Sequence, residues 1–276
     1  MWCPSTSLAV WANAWLAGLA APDDVLDALS AWAPKQAVSA YDVISIGEAA
    51  VPFAGGGDGG AAALLQLVRG AGTAAGDGIR PVFPVPGDVR GLPAGTSFQR
   101  EAILAGEAVV IGSADGSPPI GLVPAYYEDA ADESAAELCW TAFPLTGMPS
   151  AEHHDLGEAE YGLRSAIRTA TEVLGSTGSR WADYGVEDPR LQVEQLVEAV
   201  LLHRIPEHAP PRAVRVLHSA AHVEAILTVS ADLLTASAQS AAAVQRAVDA
   251  VAPLTAVVRS ARSAAVTAIL HSAWRR

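Results

Sequence analysis

The stretch from Pro210 to Trp274 constrains the fold more than any other, because it carries two long helical patterns. Pro210 and Pro211 stand where a helix tolerates proline, since first-turn N–H groups have no partner within the helix. Beyond them, apolar residues recur at helical spacing in two stripes: Val216, Ala220, Val223, Leu227 and Leu234 in one, and Ile226, Val229 and Leu233 in the other. Two stripes cover most of the circumference, so this pattern predicts a central helix of a bundle.

The second pattern also places its apolar residues on one helical face, at Val244, Val248, Val251, Leu254, Val258, Ala261, Ala265 and Ile269. Pro253 lies inside this pattern and predicts a kink or the first turn of a new helix there, because proline lacks the N–H that an interior position needs. The many alanines allow a close approach of a neighbouring backbone. We therefore expect this Ala/Val face to support packing or association.

Two histidines in the first of these helices, His218 and His222, are four residues apart and share one helical face. Zinc sites use this spacing but need further ligands, and Glu194 and Glu198 of the preceding predicted helix are carboxylates that would have to point inward. The HExxH pattern of zinc proteases is absent. His218 and His222 are therefore the metal-ligand candidates, and ordinary packing or hydrogen bonding is the alternative.

The order of predicted elements is helices, then β–α–β–β–β, then helices, which is typical of the α+β class. Residues 5–33 predict an N-terminal helical hairpin. Residues 79–145 predict a small antiparallel sheet with strands at 80–85, 107–111, 120–127 and 138–145, a short helix at 97–105 and an exposed acidic loop at 128–137. The later residues predict about four helices, which close as a bundle. The first of them, at 152–174, is expected to turn Leu156, Leu163 and Ile167 inward, and the next one to turn Leu191, Leu196, Val200 and Leu201 inward. Gly147 to Ser150 marks the predicted boundary between a mixed domain, 1–149, and a bundle domain, 150–276.

A glycine-rich run from Gly55 to Gly60 lies between a possible strand, Val43 to Ile46, and a predicted helix, Ala61 to Arg69. A glycine loop that opens a helix is the arrangement used to bind phosphate. However, the lysine of a P-loop is absent, and the carboxylate of Asp58 would repel phosphate. The run therefore favours a surface loop.

Three tryptophans fall in the predicted hairpin, namely Trp11, Trp15 and Trp32. Flat aromatic rings can line a pocket for a small ligand, and these residues are the pocket candidates. Tryptophan is also common in cores and interfaces, so packing is the alternative.

The charge of the chain is −13 overall and is distributed unevenly. Residues 1–150 carry five basic and sixteen acidic residues, whereas the stretch from Arg212 onward carries seven basic and three acidic residues. An acidic front half argues against a nucleic-acid partner, because phosphate binding needs clustered positive charge. The basic end is a solvated helix face, or it meets the acidic half of the same or another copy. In the predicted helix at 152–174, Arg164 and Arg168 share a face with Glu160 and Glu172, which predicts surface ion pairs.

Several features bear on compartment and origin. Cys3 and Cys139 are far apart and form no disulfide framework, which favours a reducing cytoplasm. The apolar stretch from Ser7 to Ala21 lacks a preceding basic residue, so it favours a packed helix over a signal peptide. No apolar run reaches the length of a membrane span.

One lysine against sixteen arginines indicates the codon bias of a bacterium with a high GC content.

Catalytic motifs are not evident, since neither GxSxG nor HExxH occurs. The leading hypothesis is an acidic bacterial protein that acts without catalysis or cofactor, by binding a protein partner or itself. The first alternative is a metal-dependent enzyme built on His218 and His222. The second is a small-ligand binder with a pocket at Trp11, Trp15 and Trp32.

Overall fold

The computed structural model describes residues 2–41, 60–70, 78–85, 87–113, 117–129, 132–151, 155–177, 189–237 and 241–275. Within them the chain forms eight helices and one five-stranded mixed sheet, which confirms the predicted α+β class. The helices are α1 (Pro4–Leu16), α2 (Pro22–Ser30), α3 (Gly60–Gly70), α4 (Ser97–Ala105), α5 (Leu156–Thr177), α6 (Pro189–Leu201), α7 (Pro211–Ser237) and α8 (Ala241–Trp274). The strands are β1 (Lys35–Ala40), β2 (Ile79–Val82), β3 (Ala108–Ile111), β4 (Ile120–Asp129) and β5 (Asp132–Pro144).

The chain divides into two compact units. The mixed unit comprises Cys3–Glu152, Arg204–Ala209 and Ile269–Arg276. The helical unit comprises Met1–Trp2, His153–His203 and Pro210–Ala268. The last residues of α8 therefore belong to the mixed unit, and so does the segment that follows α6.

The sheet of the mixed unit has the strand order β1-β5-β4-β3-β2. The pairs β2–β3, β3–β4 and β4–β5 are antiparallel, as predicted, but β1 runs parallel to β5. The antiparallel pairing predicted within residues 79–145 is therefore confirmed. The parallel edge strand β1 was not predicted, because its sequence, KQAVSA, has weak apolar alternation and its partner strand lies about a hundred residues further along the chain.

The two faces of the sheet carry separate layers. On one face, α4 packs against Val82, Val110, Val123 and Phe143, and the sheet contributes Gly121 beneath the ring of Phe98. Side chains alternate along a strand, so the opposite face carries Ile79, Ile111, Leu122, Leu138 and Trp140, all almost fully buried. α1 packs against β2, β3 and β4 and is buried from Pro4 through Ala14. The predicted N-terminal hairpin thus supplies a core helix.

Other predictions for this unit had mixed outcomes. The helix predicted at 97–105 is α4, with Thr96 as its N-cap, because the Thr96 hydroxyl accepts from the Gln99 amide. The predicted exposed loop at 128–137 was wrong, since β4 runs to Asp129 and β5 begins at Asp132. The possible strand Val43 to Ile46 and the run from Gly55 to Gly59 lie outside the described residues.

The helical unit buries the faces that periodicity had indicated. α7 buries Val216, Ala220, Val223 and Leu227, and α8 buries Leu254, Val258, Ala261 and Ala265. A salt bridge joins the two helices, with Arg262 Nη1 3.6 Å from Glu224 Oε1. α8 continues through Pro253 as one helix, so a separate first turn does not form there.

Three apolar residues predicted to point inward do not. Ile167 on α5 and Leu191 and Leu201 on α6 are exposed. α6 packs against α7 and buries no residue completely among those described from Arg190 to Leu201. A helix at the edge of a bundle packs only one stripe of its surface against its neighbours. On α6 this stripe includes the half-buried residues Val193, Leu196 and Val197.

Acidification is expected to destabilise the mixed unit through His208. Its Nε2 is buried without a hydrogen-bond partner in the described structure. Burial lowers the pKa of this imidazole, although a hydrogen bond with the Ile269 backbone acts in the opposite direction. The unfolded chain therefore binds the proton more readily. The stability contributed by neutral His208 is complete above about pH 6.5 and decreases as the pH falls toward the folded-state pKa.

Urea unfolding at about pH 7.5 and about pH 5.5 measures this effect. H208Q is expected to lose less stability on acidification than the parent chain. Some loss remains, because burial also lowers the pKa of His203. H218Q, at an exposed position, serves as the control and behaves like the parent. Equal pH dependence in H208Q and the parent contradicts the prediction.

Candidate functional site

The predicted metal pair lies in the N-terminal half of α7. His218 and His222 are both exposed, and the carboxylates of Glu194 and Glu198 are exposed on α6. In the part of the chain that the structure describes, no group of three or more His, Cys, Asp or Glu residues is placed to hold a metal ion. The metal centre therefore stays a prediction that lacks a third ligand among these residues.

The three tryptophans make three different sets of contacts. The buried Trp11 donates from Nε1 to the Arg204 carbonyl at 3.1 Å, and the Arg204 guanidinium lies 5.5 Å from its ring centroid. The Arg69 guanidinium lies 5.5 Å from the Trp15 ring. Trp32 donates from Nε1 to Ser7 Oγ at 2.9 Å and joins α1 to the end of α2. These are packing and cation–π contacts, and a ligand pocket lined by the three rings stays a prediction.

The most distinctive exposed surface of the helical unit is formed by α5 and α7. We call it the α5–α7 surface and define it by the exposed residues Tyr161, Arg164, Ile167 and Arg168 of α5 and Arg212, Arg215, His218 and His222 of α7. On each helix these residues recur at steps of three and four, so they share an outward face. Tyr161 is 71% exposed, which is high for an aromatic side chain.

Glu160 connects the two helices of this surface. Its Oε1 accepts from Arg164 Nη2 at 2.5 Å, and its Oε2 accepts from Arg212 Nε at 3.0 Å. The hydrogen bond from Arg212 is the main reason that the pKa of Glu160 is lowered, with Arg164 and Arg215 adding to the effect. Such exposed pairs contribute little to stability, but they hold the two guanidinium groups in place.

Two other arginines of the surface lie outside these ion pairs, although Arg215 acts on Glu160 electrostatically from a greater distance. Among the described residues, neither Arg168 nor Arg215 forms an ion pair. Between Pro211 and His222, α7 carries two arginines and two histidines and no acidic residue. The α5–α7 surface therefore has an excess of positive charge on a chain whose net charge is −13.

Sequence reasoning reached only part of this surface. It placed Arg164 and Arg168 on one face with Glu160, and His218 and His222 on another. The hydrogen bond from Arg212 to Glu160 joins residues that are 52 positions apart in the sequence, so no local pattern predicts it. The sequence did contain one indication of this surface, the basic stretch at the start of α7. A count of charges detects that stretch but does not show which surface it belongs to.

Comparisons with known proteins complete the description of the chain. Two family models match it: Rv1486c-like protein, N-terminal domain, over residues 5–155, and Rv1486c-like protein, C-terminal domain, over residues 157–263. The uncharacterized protein Rv1486c of Mycobacterium tuberculosis is 54% identical over 293 residues, which cover 99% of each chain. The uncharacterized protein ML1804 of Mycobacterium leprae is 48% identical over 299 residues, and MAV321 of Mycobacterium avium is 46% identical over 305 residues, again over 99% of each chain.

No solved structure matches the chain. The relatives named above are all mycobacterial, in agreement with the bacterial origin predicted from the arginine-rich composition. Among the helices of the described residues, none combines the length and apolar character that crossing a membrane requires.

Proposed function

The chain belongs to the Rv1486c-like family, and we propose that it is an interaction protein that acts without catalysis, by binding a protein partner at the α5–α7 surface. The absence of GxSxG and HExxH motifs from the sequence supports the non-catalytic part of this proposal. We place the protein in the cytoplasm, which the free thiols of Cys3 and Cys139 support.

One observation carries the proposal: the α5–α7 surface exposes a tyrosine among four arginines. Tyrosine and arginine are enriched at protein interfaces, and above all among the few residues whose truncation costs about 2 kcal/mol or more of binding energy. Exposure of Ile167 beside them adds apolar area. By contrast, the Ala/Val face of α8 from Leu254 to Ala265 is already buried within the chain, so this part of it is not offered to a partner.

Exposed leucines on α6 extend the apolar character of the unit. Leu191 and Leu201 are about half exposed, and Leu202, just beyond the helix, is 80% exposed. Single exposed leucines are ordinary on protein surfaces. These leucines therefore lie outside the centre of the proposed binding area.

Site-specific photo-crosslinking tests the proposal. Tyr161 is replaced by the photoreactive aromatic p-benzoylphenylalanine, and irradiated mycobacterial cells are analysed for a cross-linked species of defined mass. We expect one such species, because the replacement keeps an aromatic ring at the centre of the surface. The same replacement at Leu104, which is 77% exposed on α4 of the mixed unit, is the matched control and is expected to give none. If position 161 yields no discrete species, or the same ones as position 104, the proposed function is wrong.

A further inference from the structure

We propose that the partner of the α5–α7 surface is a second copy of this chain, which docks through an acidic patch on its α2. This inference rests on the proposed function and names its partner. The α2 patch is defined by Leu19, Asp23 and Asp27, all exposed.

The α2 patch carries unpaired negative charge. Asp23 and Asp27 are four residues apart on α2, so their carboxylates project from one side about one helical turn apart. Neither forms an ion pair among the described residues. Asp24, their neighbour, is used differently, because its Oδ2 accepts from the Ala21 amide and caps the helix.

The two surfaces match in spacing and in chemistry. Arg164 and Arg168 are also four residues apart on a helix, so the acidic pair of the α2 patch and this basic pair of α5 have the same helical spacing. Arg168 and Arg215 are the arginines without an ion-pair partner, as described above. Leu19, which is 52% exposed, gives the α2 patch an apolar residue to place against Tyr161 and Ile167.

The net charge of the chain makes a nucleic acid less suitable than a second copy as the partner of the α5–α7 surface. A nucleic acid would be repelled by a chain of net charge −13. Two copies also repel at long range, but within a Debye length of about 8 Å local pairs of opposite charge dominate. Salt screens both the local attraction and the overall repulsion, so charge reversal is a cleaner test than salt titration.

The experiment is sedimentation velocity on the full chain from about 1 µM to about 100 µM. The parent chain is expected to form species of two or more copies. D23R/D27R and R168E/R215E, each alone, are expected to weaken association at least about tenfold, because each places like charges across the contact. An equimolar mixture of the two variants is expected to recover it, since the changed α2 patch of one chain then meets the changed α5–α7 surface of the other.

Two controls keep the test specific. E194R/E198R reverses the charge of two exposed carboxylates that have the same spacing on α6. It changes the net charge of the chain as much as D23R/D27R does. The self-association of this variant is nevertheless expected to equal or exceed that of the parent chain. Far-UV circular dichroism and the urea midpoint establish that each variant is folded. D27R alone supplies a milder change, because Asp23 is in the first turn of α2, where an acidic residue stabilises the helix.

A parent chain that stays monomeric throughout, or variants whose mixture does not recover association, would overturn the second-copy proposal. If the parent is monomeric but position 161 cross-links to a different protein, only this inference fails and the proposed function stands. If position 161 cross-links to nothing and the parent is monomeric, both fail.

Discussion

N13A is expected to lower the free energy of unfolding by about 3 kcal/mol, one of the largest effects of any single substitution in the mixed unit. Asn13 is almost completely buried on α1. Its Nδ2 donates to the Ala9 carbonyl at 2.8 Å and to the Ile79 carbonyl at 2.9 Å, and its Oδ1 accepts from Trp274 Nε1 at 3.0 Å. One amide thus joins a core helix, an edge strand and the end of α8.

The expected loss of stability in N13A follows from the hydrogen-bonding groups that alanine leaves without a partner. The Ile79 carbonyl loses its partner in a buried place and the Trp274 N–H in a partly buried one. An unsatisfied buried group costs about 1–3 kcal/mol. W274F removes the N–H and keeps an aromatic ring, so we expect it to cost about 1 kcal/mol. Because both changes break the same bond, N13A/W274F is expected to cost less than the sum of the single changes.

Equilibrium unfolding in urea measures all three variants. S30A is the control: Ser30 Oγ donates to the Asp27 carbonyl at an exposed position, and its loss is expected to change stability by less than about 0.5 kcal/mol. Strict additivity of N13A and W274F, or a loss for N13A no larger than that for S30A, would show that Asn13 does not join these elements as described.

G121A is expected to lower the stability of the mixed unit by about 3 kcal/mol through overpacking. A Cβ at Gly121 of β4 would lie 2.4 Å from Phe98 Cε2 and 2.6 Å from Phe98 Cδ2. Both distances are far inside van der Waals contact. The Phe98 ring is only 1% exposed and packs against Phe143 at a centroid distance of 5.7 Å, so it has little room to move away.

A second substitution tests the cause. F98L shortens the side chain that G121A would strike, so G121A/F98L is expected to be more stable than the sum of the single changes predicts. G147A is the matched glycine control in the same unit, because a Cβ there meets nothing within 4 Å. Urea unfolding that gives similar losses for G121A and G147A would refute the steric explanation.

The candidate site shows which of its features sequence patterns can predict and which they cannot. The i, i+4 spacing correctly placed His218 and His222 on one face of a helix and Arg164 and Arg168 on one face of another. The alternating charges on the arginine face also predicted a surface position, but the spacing of the histidines did not indicate whether their face points to solvent, because that depends on which neighbours a helix packs against. For the same reason Leu191 and Leu201 were predicted to be inside and are exposed.

Local spacing, capping and periodicity were enough to predict the α+β class, the limits of α4 and the buried faces of the described parts of α7 and α8. The parallel pairing of β1 with β5, the burial of α1 from Pro4 to Ala14 and the hydrogen bond between Asn13 and Trp274 across 261 residues became evident only from the fold. They could not be predicted because they depend on contacts between distant segments. A local pattern records which side of an element is apolar but not what will lie against it.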